Sequence, residues 1–587
     1  MIAIFAVAAV TVGTLGLGAM GTRLARTTSD LLVASRAMTA WWNAAAISGE
    51  YLSAASFLGI AGLEMQNGTT ALWQSLGFTA GYLCLLLFVA APLRRFGSYT
   101  ISDFAEARLR SPRLRGLASA LVLLIGGFYL VPQLKGAGLA LNVVIGAPYF
   151  VGVLAVGVVV SLNVGLGGMR GITYVQAFQF WLKVFAIALP ACLLLIHLGG
   201  LPARAALFGD RYPSVGDRPT SISLPAREQV IFPGATSYTI VTPARTQTLR
   251  ASAGETTTLP PGRLILPPHA DVPVASGTTP LRGSEWARPV GGSGERSPVF
   301  VYSLLVATFL GTMGLPHILV RFYTNPDGPA ARHTTVRVLG LLGLFYIFPG
   351  IYGALGRVLV PQLYVTGATD TVVLRLPQAA WPGTVGNVLG AITAAGAFAA
   401  FLSTSSGLLV SIAGTISHDV WPRLSRERST TVGIRRQRFR LAAVVGMFAP
   451  IVLAFFAQGV DIAVLVGWAF ALAASTFCPL FLLGIWWTRL TAAGAASGMI
   501  AGAVLATSGI LAGLVLGEPS GVAGALLAQP AIVSVPVAFV TMITVSLRAV
   551  ERPNPDAEML ALHAPEGLDL PETGVRDPFV LGPRAGA

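Results

Sequence analysis

Apolar runs of about twenty residues recur along almost the whole chain, and they limit its fold more than any other feature. A helix of about twenty apolar residues spans a hydrocarbon core roughly 30 Å thick. Charged residues make up only 11% of the chain, against about 25% in soluble domains, which argues against a soluble enzyme. The net charge of +14 comes from arginines between the apolar runs, where they orient membrane helices, so no nucleic-acid partner is expected. The pattern predicts an all-α polytopic protein of the plasma (inner) membrane.

The apolar runs predict thirteen spans. They cover residues 1–21, 41–63, 71–92, 114–146, 149–168, 173–198, 299–320, 336–360, 383–417, 439–457, 459–484, 490–516 and 526–548. Loops after odd-numbered spans hold most of the arginines, among them Arg26, Arg36, Arg94 and Arg321, so the N-terminus is predicted outside and the C-terminus in the cytoplasm. No Lys or Arg precedes the first span, which predicts a retained helix rather than a signal peptide.

Two segments depart from the membrane pattern. Residues 199–298 are rich in Pro, Ser, Thr and Gly and predict an extracellular insertion, for which a few short strands and disorder are both open. Residues 549–587 are polar and rich in proline, which predicts a loose cytoplasmic tail.

Polar residues interrupt two spans at corresponding positions. Span 2 carries a Ser, Gly and Glu cluster around Gly49 to Ser56, and span 7 carries Gly311 to His317 with a proline. Matched interruptions five spans apart are typical of transporters built from inverted repeats, whose sites lie at the broken helices. Each break alone is equally well a simple kink. The predicted organisation is an N-terminal helix and loop (1–40), a first five-helix repeat (41–198), the insertion (199–298), a second five-helix repeat (299–484), two further helices (485–548) and the tail (549–587).

Four successive hydroxyl residues, Ser403 to Ser406, lie in span 9. Such hydroxyls bond to carbonyl oxygens one turn back in many membrane helices. Hydroxyl and carbonyl oxygens are also the ligands that small hard cations prefer. Both interpretations stay open from the residues alone.

Three ordered stretches give the chain a resemblance to a known family. They are Gly49 to Ile60, Gly314 to Thr324, and the triplet Ser417-His418-Asp419. With them the chain resembles the sodium:solute symporter family, and within it the acetate and short-chain monocarboxylate permease branch. The similarity covers most of residues 41–198 and 299–500, and leaves out the insertion and the tail.

The resemblance implies a LeuT-type inverted repeat with thirteen helices and a sodium ion between the first and eighth core helices. Carried over by motif, the sodium ligands are the backbone oxygens of Gly49, Leu52 and Ala400 and the side chains of Ser403 and Thr404. Sodium is the coupling ion, and no other cofactor is expected. One departure is that some members carry an acid or amide where Tyr51 stands, whereas here the acid is Glu50. A proton-coupled role for Glu50 stays open.

The predicted substrate site surrounds the two breaks. Its residues are Glu50, Ser53, Ala54, Ala55, Ser56, Tyr129, Gln133, Thr312, Gly314, His317 and Trp468. Several have a plainer interpretation, since His317 equally fits a neutral packing role, and Tyr129 and Trp468 equally fit an aromatic core. Lys135 and Lys183, the two lysines of the chain, either line the pathway or extend to an interface.

The resemblance implies uptake of a short-chain monocarboxylate, such as acetate, propionate or pyruvate, coupled to inward movement of sodium or protons. No Walker-type loop and no metal-enzyme spacing occurs in the sequence, so an ion gradient rather than ATP is the expected energy source, and no enzymatic activity is expected. The alternatives are symport of an amino acid, sugar or polyol, and a non-transporting membrane sensor. The predicted partners are the carboxylate, the cation and the lipid bilayer, with the oligomeric state open.

Overall fold

Thirteen helical passes make up the membrane part of the computed structural model, which describes residues 2–24, 38–200, 207–291, 297–425, 432–516, 521–549 and 555–564. Within these residues, twelve segments are long and apolar enough to cross a membrane. One of them, Ala55–Phe96, contains two passes separated by the 3-10 turn Gly68–Ala71. The predicted fold class is confirmed. The predicted loop with Arg26 and Arg36, and the end of the tail from residue 565, lie outside the described residues.

The helices are numbered in chain order. Before the insertion they are α1 (Ile2–Leu24), α2 (Ala40–Tyr51), α3 (Ile60–Asn67), α4 (Leu72–Cys84), α5 (Ala90–Phe96), α6 (Ile101–Leu109), α7 (Pro112–Ile145) and α8 (Tyr149–His197). From the insertion onwards they are α9 (Gly283–Trp286), α10 (Pro298–Thr312), α11 (Pro316–Phe322), α12 (Gly328–Leu359), α13 (Val372–Ala380), α14 (Thr384–Gly414), α15 (Trp421–Ser425), α16 (Val432–Phe456), α17 (Ile462–Trp486), α18 (Ala492–Leu516), α19 (Val522–Ala528), α20 (Ala531–Arg548) and α21 (Asp556–His563). Short π-helical segments at Ala55–Gly59, Leu85–Val89 and Thr415–Val420 join some of these helices.

Helix α8 replaces two of the predicted spans. The sequence places a connection between spans 149–168 and 173–198, whereas the backbone is helical throughout from Tyr149 to His197. Helices α1 and α14 both pack along α8, and glycines weaken a membrane helix without ending it where neighbours support it. No loop therefore separates residues 149–168 from residues 173–198.

The insertion is folded into two small antiparallel sheets. Its strands are β1 (Thr220–Leu224), β2 (Glu228–Ile231), β3 (Thr236–Val241), β4 (Thr246–Ala251), β5 (Thr256–Leu259), β6 (Gly262–Leu266) and β7 (Val274–Ala275), in the orders β1-β6-β3-β4 and β5-β2-β7. Alternation along β3, with Tyr238 and Ile240 buried, provides the apolar face. Trp286 ties this β-insertion to α3, because its Nε1 donates to the carbonyl oxygens of Glu64 and Met65 at 2.9 and 3.1 Å. The described part of the insertion therefore forms strands, and of the two alternatives left open by the sequence, disorder does not apply to it.

The described part of the tail is also ordered. Helix α21 buries Leu562 completely, and its Glu558 forms an ion pair with Arg110 at 2.7 Å. His563 contacts the carbonyl oxygen of Ile485 at 2.8 Å. The prediction of a loose extension was wrong for residues 556–563, because a buried leucine, an ion pair and a hydrogen bond hold them against the rest of the protein.

Candidate functional site

The first broken helix is interrupted at Leu52 and Ser53, between α2 and the π-helical turn Ala55–Gly59. The amides that the break frees find side-chain acceptors. Ala54 donates to Gln133 Oε1 at 2.8 Å, and Ala55 donates to Ser53 Oγ at 3.2 Å. The break therefore lies inside the predicted polar cluster, and its backbone groups are bound within the protein, as a low-dielectric surrounding requires.

The second break separates α10 from α11 at residues 313–315. Pro316 begins α11, since its missing N–H costs nothing at the first helical position. Gly314 lets α17 approach closely, because a Cβ atom there would lie 2.3 Å from the carbonyl oxygen of Ala473. Tyr51 bridges the two breaks: its hydroxyl lies 2.9 Å from Thr312 Oγ1.

The five predicted sodium ligands converge where α14 packs against the first break. Ser403 Oγ lies 2.8 Å from the Gly49 carbonyl oxygen and 3.1 Å from that of Ala400. Thr404 Oγ1 donates to the carbonyl oxygen of Glu50 at 2.5 Å, and Leu52 is fully buried beside them. The structure thus brings the set together. Ligation of sodium by these residues stays a prediction.

Lys183 of α8 reaches into this same set of oxygens. Its Nζ donates to the carbonyl oxygen of Gly49, to that of Leu52 at 2.8 Å and to Ser403 Oγ at 2.5 Å. The side chain is fully buried, so it does not extend to an interface. Sequence reasoning gave this residue no place in the ion site. The available signal was its rarity, since it is one of two lysines and lies in an apolar run.

Glu50 forms a buried ion pair with Arg321. Arg321 Nε lies 2.6 Å from Glu50 Oε2, and the two side chains are 1% and 0% exposed. Arg321 also donates to Thr173 Oγ1 at 2.7 Å and to Gln176 Oε1. Gln176 in turn donates to the carbonyl oxygen of Ser403 at 2.7 Å. The placement of Arg321 in a loop was wrong, because α11 carries it into the core, where it holds the carboxylate predicted to contact substrate.

Buried aromatic rings pack beside the two breaks. Tyr51 lies edge-on to Tyr82 and Phe470, with ring centroids 4.9 and 6.1 Å apart, and Tyr129 lies 5.3 Å from the ring of His317. Among the described residues, Tyr82 Oη and both ring nitrogens of His317 are buried without a hydrogen-bond partner. Buried polar atoms of this kind need an explanation such as a bound ligand. The predicted substrate residues that lie here are Ser53, Tyr129, Gln133, Thr312, Gly314 and His317.

Two predicted substrate residues lie elsewhere. Ser56 points to Tyr346, with 2.8 Å between the hydroxyl oxygens. Trp468 lines a cleft of about 900 Å³ beneath the β-insertion, and its Nε1 donates to the carbonyl oxygen of Ala528 at 2.9 Å. Lys135 and Asp370 also line this cleft, 3.7 Å apart.

A cluster of charged side chains closes the opposite face. Arg115 bridges Asp103 and Asp419 at 2.6 and 2.5 Å, and His418 lies 3.4 Å from Asp103. Burial favours the neutral form of the Asp103 carboxyl group, but His418 and Arg115 lower its pKa to about 2. This charge cluster joins α6, α7 and the π-helical end of α14. In the sequence, the Ser417-His418-Asp419 triplet served as part of the family resemblance and gave no indication of this cluster.

Comparisons with known proteins agree with this architecture. A sequence profile of the sodium:solute symporter family matches residues 31–220 and 274–502. The uncharacterized symporter YwcA of Bacillus subtilis (strain 168) is 32% identical over 483 residues, covering 82% of this chain and 80% of YwcA. Among solved structures, a Na+-coupled sialic acid symporter in a substrate-bound outward-open state has a TM-score of 0.66 at 14% identity. The match covers 94% of this chain and 98% of that one. At this identity the structural likeness concerns the fold alone.

Proposed function

Since the chain belongs to the sodium:solute symporter family, we propose that it is a secondary active symporter that couples inward movement of sodium or protons to uptake of a short-chain monocarboxylate. Membership of the family indicates a membrane transporter, and sodium and a solute are the partners that the family name gives. The monocarboxylate, with acetate, propionate and pyruvate as candidates, is the finer part of the proposal.

The charge balance at the first break is the main support for an anionic substrate. Three charged side chains meet there, the cations Arg321 and Lys183 and the anion Glu50. Buried charge is stable only when it is paired and hydrogen-bonded. A monoanionic substrate supplies the missing negative charge, whereas a neutral or cationic solute leaves one positive charge unbalanced.

The aromatic surroundings support a small solute with an apolar end. Phe470, Tyr51 and Tyr129 offer ring faces and edges to a methyl or ethyl group. Tyr82 Oη and His317 supply polar atoms that lack partners within the described residues. A carboxylate accepts hydrogen bonds from both, and charge-assisted bonds of this type are the strong ones.

Alternating access follows from the two faces of the molecule. The cleft lined by Trp468 and Lys135 is the entry route, and the charge cluster around Arg115 is the closed exit. By the positive-inside rule the cleft and β-insertion face outside, and the charge cluster faces the cytoplasm of a plasma-membrane protein. Rocking of the broken helices against their neighbours then exposes the central site to each side in turn.

Solute counterflow tests the substrate without assuming a coupling ion. Proteoliposomes loaded with unlabelled propionate or pyruvate are diluted into a trace of the labelled acid, and protein-free liposomes correct for passive leak. We expect exchange of monocarboxylates, weakened roughly tenfold in Tyr82→Phe if its hydroxyl contributes one charge-assisted bond. The exposed Tyr302 gives the matched control Tyr302→Phe, which should exchange normally.

A second candidate is symport of another solute, as in the sialic acid symporter whose fold the chain shares. The same assay with sialic acid, an amino acid, a sugar and a polyol decides between the candidates. Exchange of one of these without exchange of any short-chain monocarboxylate contradicts the proposed substrate. No exchange of any solute contradicts transport of the tested solutes and favours a sensor.

A further inference from the structure

We propose that the ammonium group of Lys183 is a tethered cation that takes the place of sodium between the first helix break and α14, so that sodium does not bind at this position. The inference departs from what the family predicts for the ion site. For substrate uptake it rests on the proposed function, whereas ion binding itself can be tested without a substrate.

The hydrogen bonds of Lys183 account for its whole donor capacity. An ammonium group has three N–H donors and no acceptor. Its three partners are the carbonyl oxygens of Gly49 and Leu52 and the hydroxyl oxygen of Ser403. These are three of the five predicted sodium ligands, and they come from both sides of the contact between α2 and α14. The lysine therefore makes the cross-link that a bound cation would make.

The remaining predicted ligands are also engaged. The Ala400 carbonyl oxygen accepts from Ser403 Oγ, and Thr404 Oγ1 donates to the carbonyl oxygen of Glu50. Each of the five residues thus has a partner inside the protein. A sodium ion entering here would have to break several of these hydrogen bonds.

Electrostatics oppose a second cation at this position. A sodium ion on the same oxygens would lie within contact distance of the ammonium group, in a buried site where repulsion is weakly screened. The nearest carboxylate, Glu50, is already paired with Arg321 at 2.6 Å. The position therefore holds either the ammonium group or sodium, and the full burial of Lys183 places the ammonium group there.

The primary test measures sodium binding to the purified full-length protein in detergent. Radioactive sodium binding and the melting temperature are recorded in sodium chloride and in choline chloride of equal ionic strength. We expect no sodium-specific stabilisation of the wild type. Lys183→Ala frees the oxygens and leaves space, so it should gain one saturable sodium site and a sodium-specific rise in melting temperature.

Three variants make the comparison specific. Lys183→Met fills the space without charge and should not gain the site. Lys135→Ala removes the other lysine of the chain and should not change the response to sodium. Adding Ser403→Ala to Lys183→Ala removes a ligand and should abolish the gained sodium response.

Sodium binding to the wild type can overturn the inference by itself, even if Lys183→Ala does not fold. Stoichiometric sodium binding to the wild type that is lost in Thr404→Ala would show that the ion occupies the position and that the lysine yields to it. A Lys183→Ala protein that folds but gains no sodium response would contradict the inference as well.

Substrate exchange separates this inference from the proposed function. In counterflow, the exchange rates of the wild type in sodium and in choline should agree within about twofold. The exchange rate of Lys183→Ala should be roughly tenfold or more higher in sodium than in choline. Strong sodium dependence in the wild type, lost on replacement of Lys183, overturns the inference and leaves transport intact. Absence of exchange for every solute counts against the proposed function, and the binding measurement still decides the role of Lys183.

Discussion

Replacing Glu50 by alanine removes the carboxylate that pairs with Arg321 in the centre of the fold. Both side chains are buried, and the Nε to Oε2 distance is 2.6 Å. After the change, the guanidinium group keeps only neutral acceptors, Thr173 Oγ1 and Gln176 Oε1. A charge that water cannot reach is then left without a counterion.

The expected loss of stability is large for one substitution. Two unit charges about 4 Å apart interact by about 4 kcal/mol at an effective dielectric constant of about 20. Breaking a buried pair by removing one partner costs about 3 to 5 kcal/mol. Because Arg321→Met removes the stranded charge, the double variant should be less destabilised than Glu50→Ala alone.

Denaturant unfolding of the purified protein, followed by tryptophan fluorescence, measures these differences. Arg110 and Glu558 give a matched control, because their ion pair has a similar distance of 2.7 Å but the Arg110 side chain is 66% exposed. Arg110→Ala should barely change the unfolding midpoint. A Glu50→Ala protein as stable as the wild type, or a double variant less stable than both single variants, would refute the reasoning.

Three further predictions concern other parts of the molecule. Gly314→Ala forces a Cβ atom to 2.3 Å from a backbone oxygen of α17 and should abolish solute exchange, whereas Gly340→Ala, with open space around it, should not. His418 and Arg115 lower the pKa of Asp103 from 3.8 to about 2. The ionised carboxylate therefore stabilises the fold at pH values above 3.8, and this contribution is lost as the pH falls through about 2. The wild type should therefore lose more stability than Asp103→Asn between those values, as measured by unfolding titrations. Trp286→Ala removes two hydrogen bonds at 2.9 and 3.1 Å and should make the β-insertion more sensitive to limited proteolysis; unchanged cleavage would contradict its role as an anchor.

The passes and the helix breaks could be read from the sequence because both are local properties. Hydropathy over about twenty residues defines a span, and a polar cluster or a proline inside it defines an interruption. The breaks at Leu52 to Ser53 and at residues 313–315 fall within the predicted clusters. The continuity of α8 was missed because local composition does not distinguish one long helix from two helices joined by a short loop.

The partners of charged residues could not be read in the same way. Lys183 meets Gly49 across 134 positions of the chain, and Arg321 meets Glu50 across 271. Nothing in the neighbourhood of an arginine in sequence tells a loop residue from one that a short helix carries into the core. The resemblance identified the predicted ion ligands, but it gave no information on Lys183, which the family pattern does not include.

Gradient-driven accumulation in proteoliposomes tests the central claim, cation-coupled uptake of a monocarboxylate, most directly. Labelled propionate or pyruvate is offered with an inward sodium gradient, an inward proton gradient or neither, and protein-free liposomes report passive entry. The account predicts accumulation above equilibrium under a cation gradient and only equilibration without one. Equilibration under every gradient, in protein that exchanges the same acid in counterflow, would contradict symport.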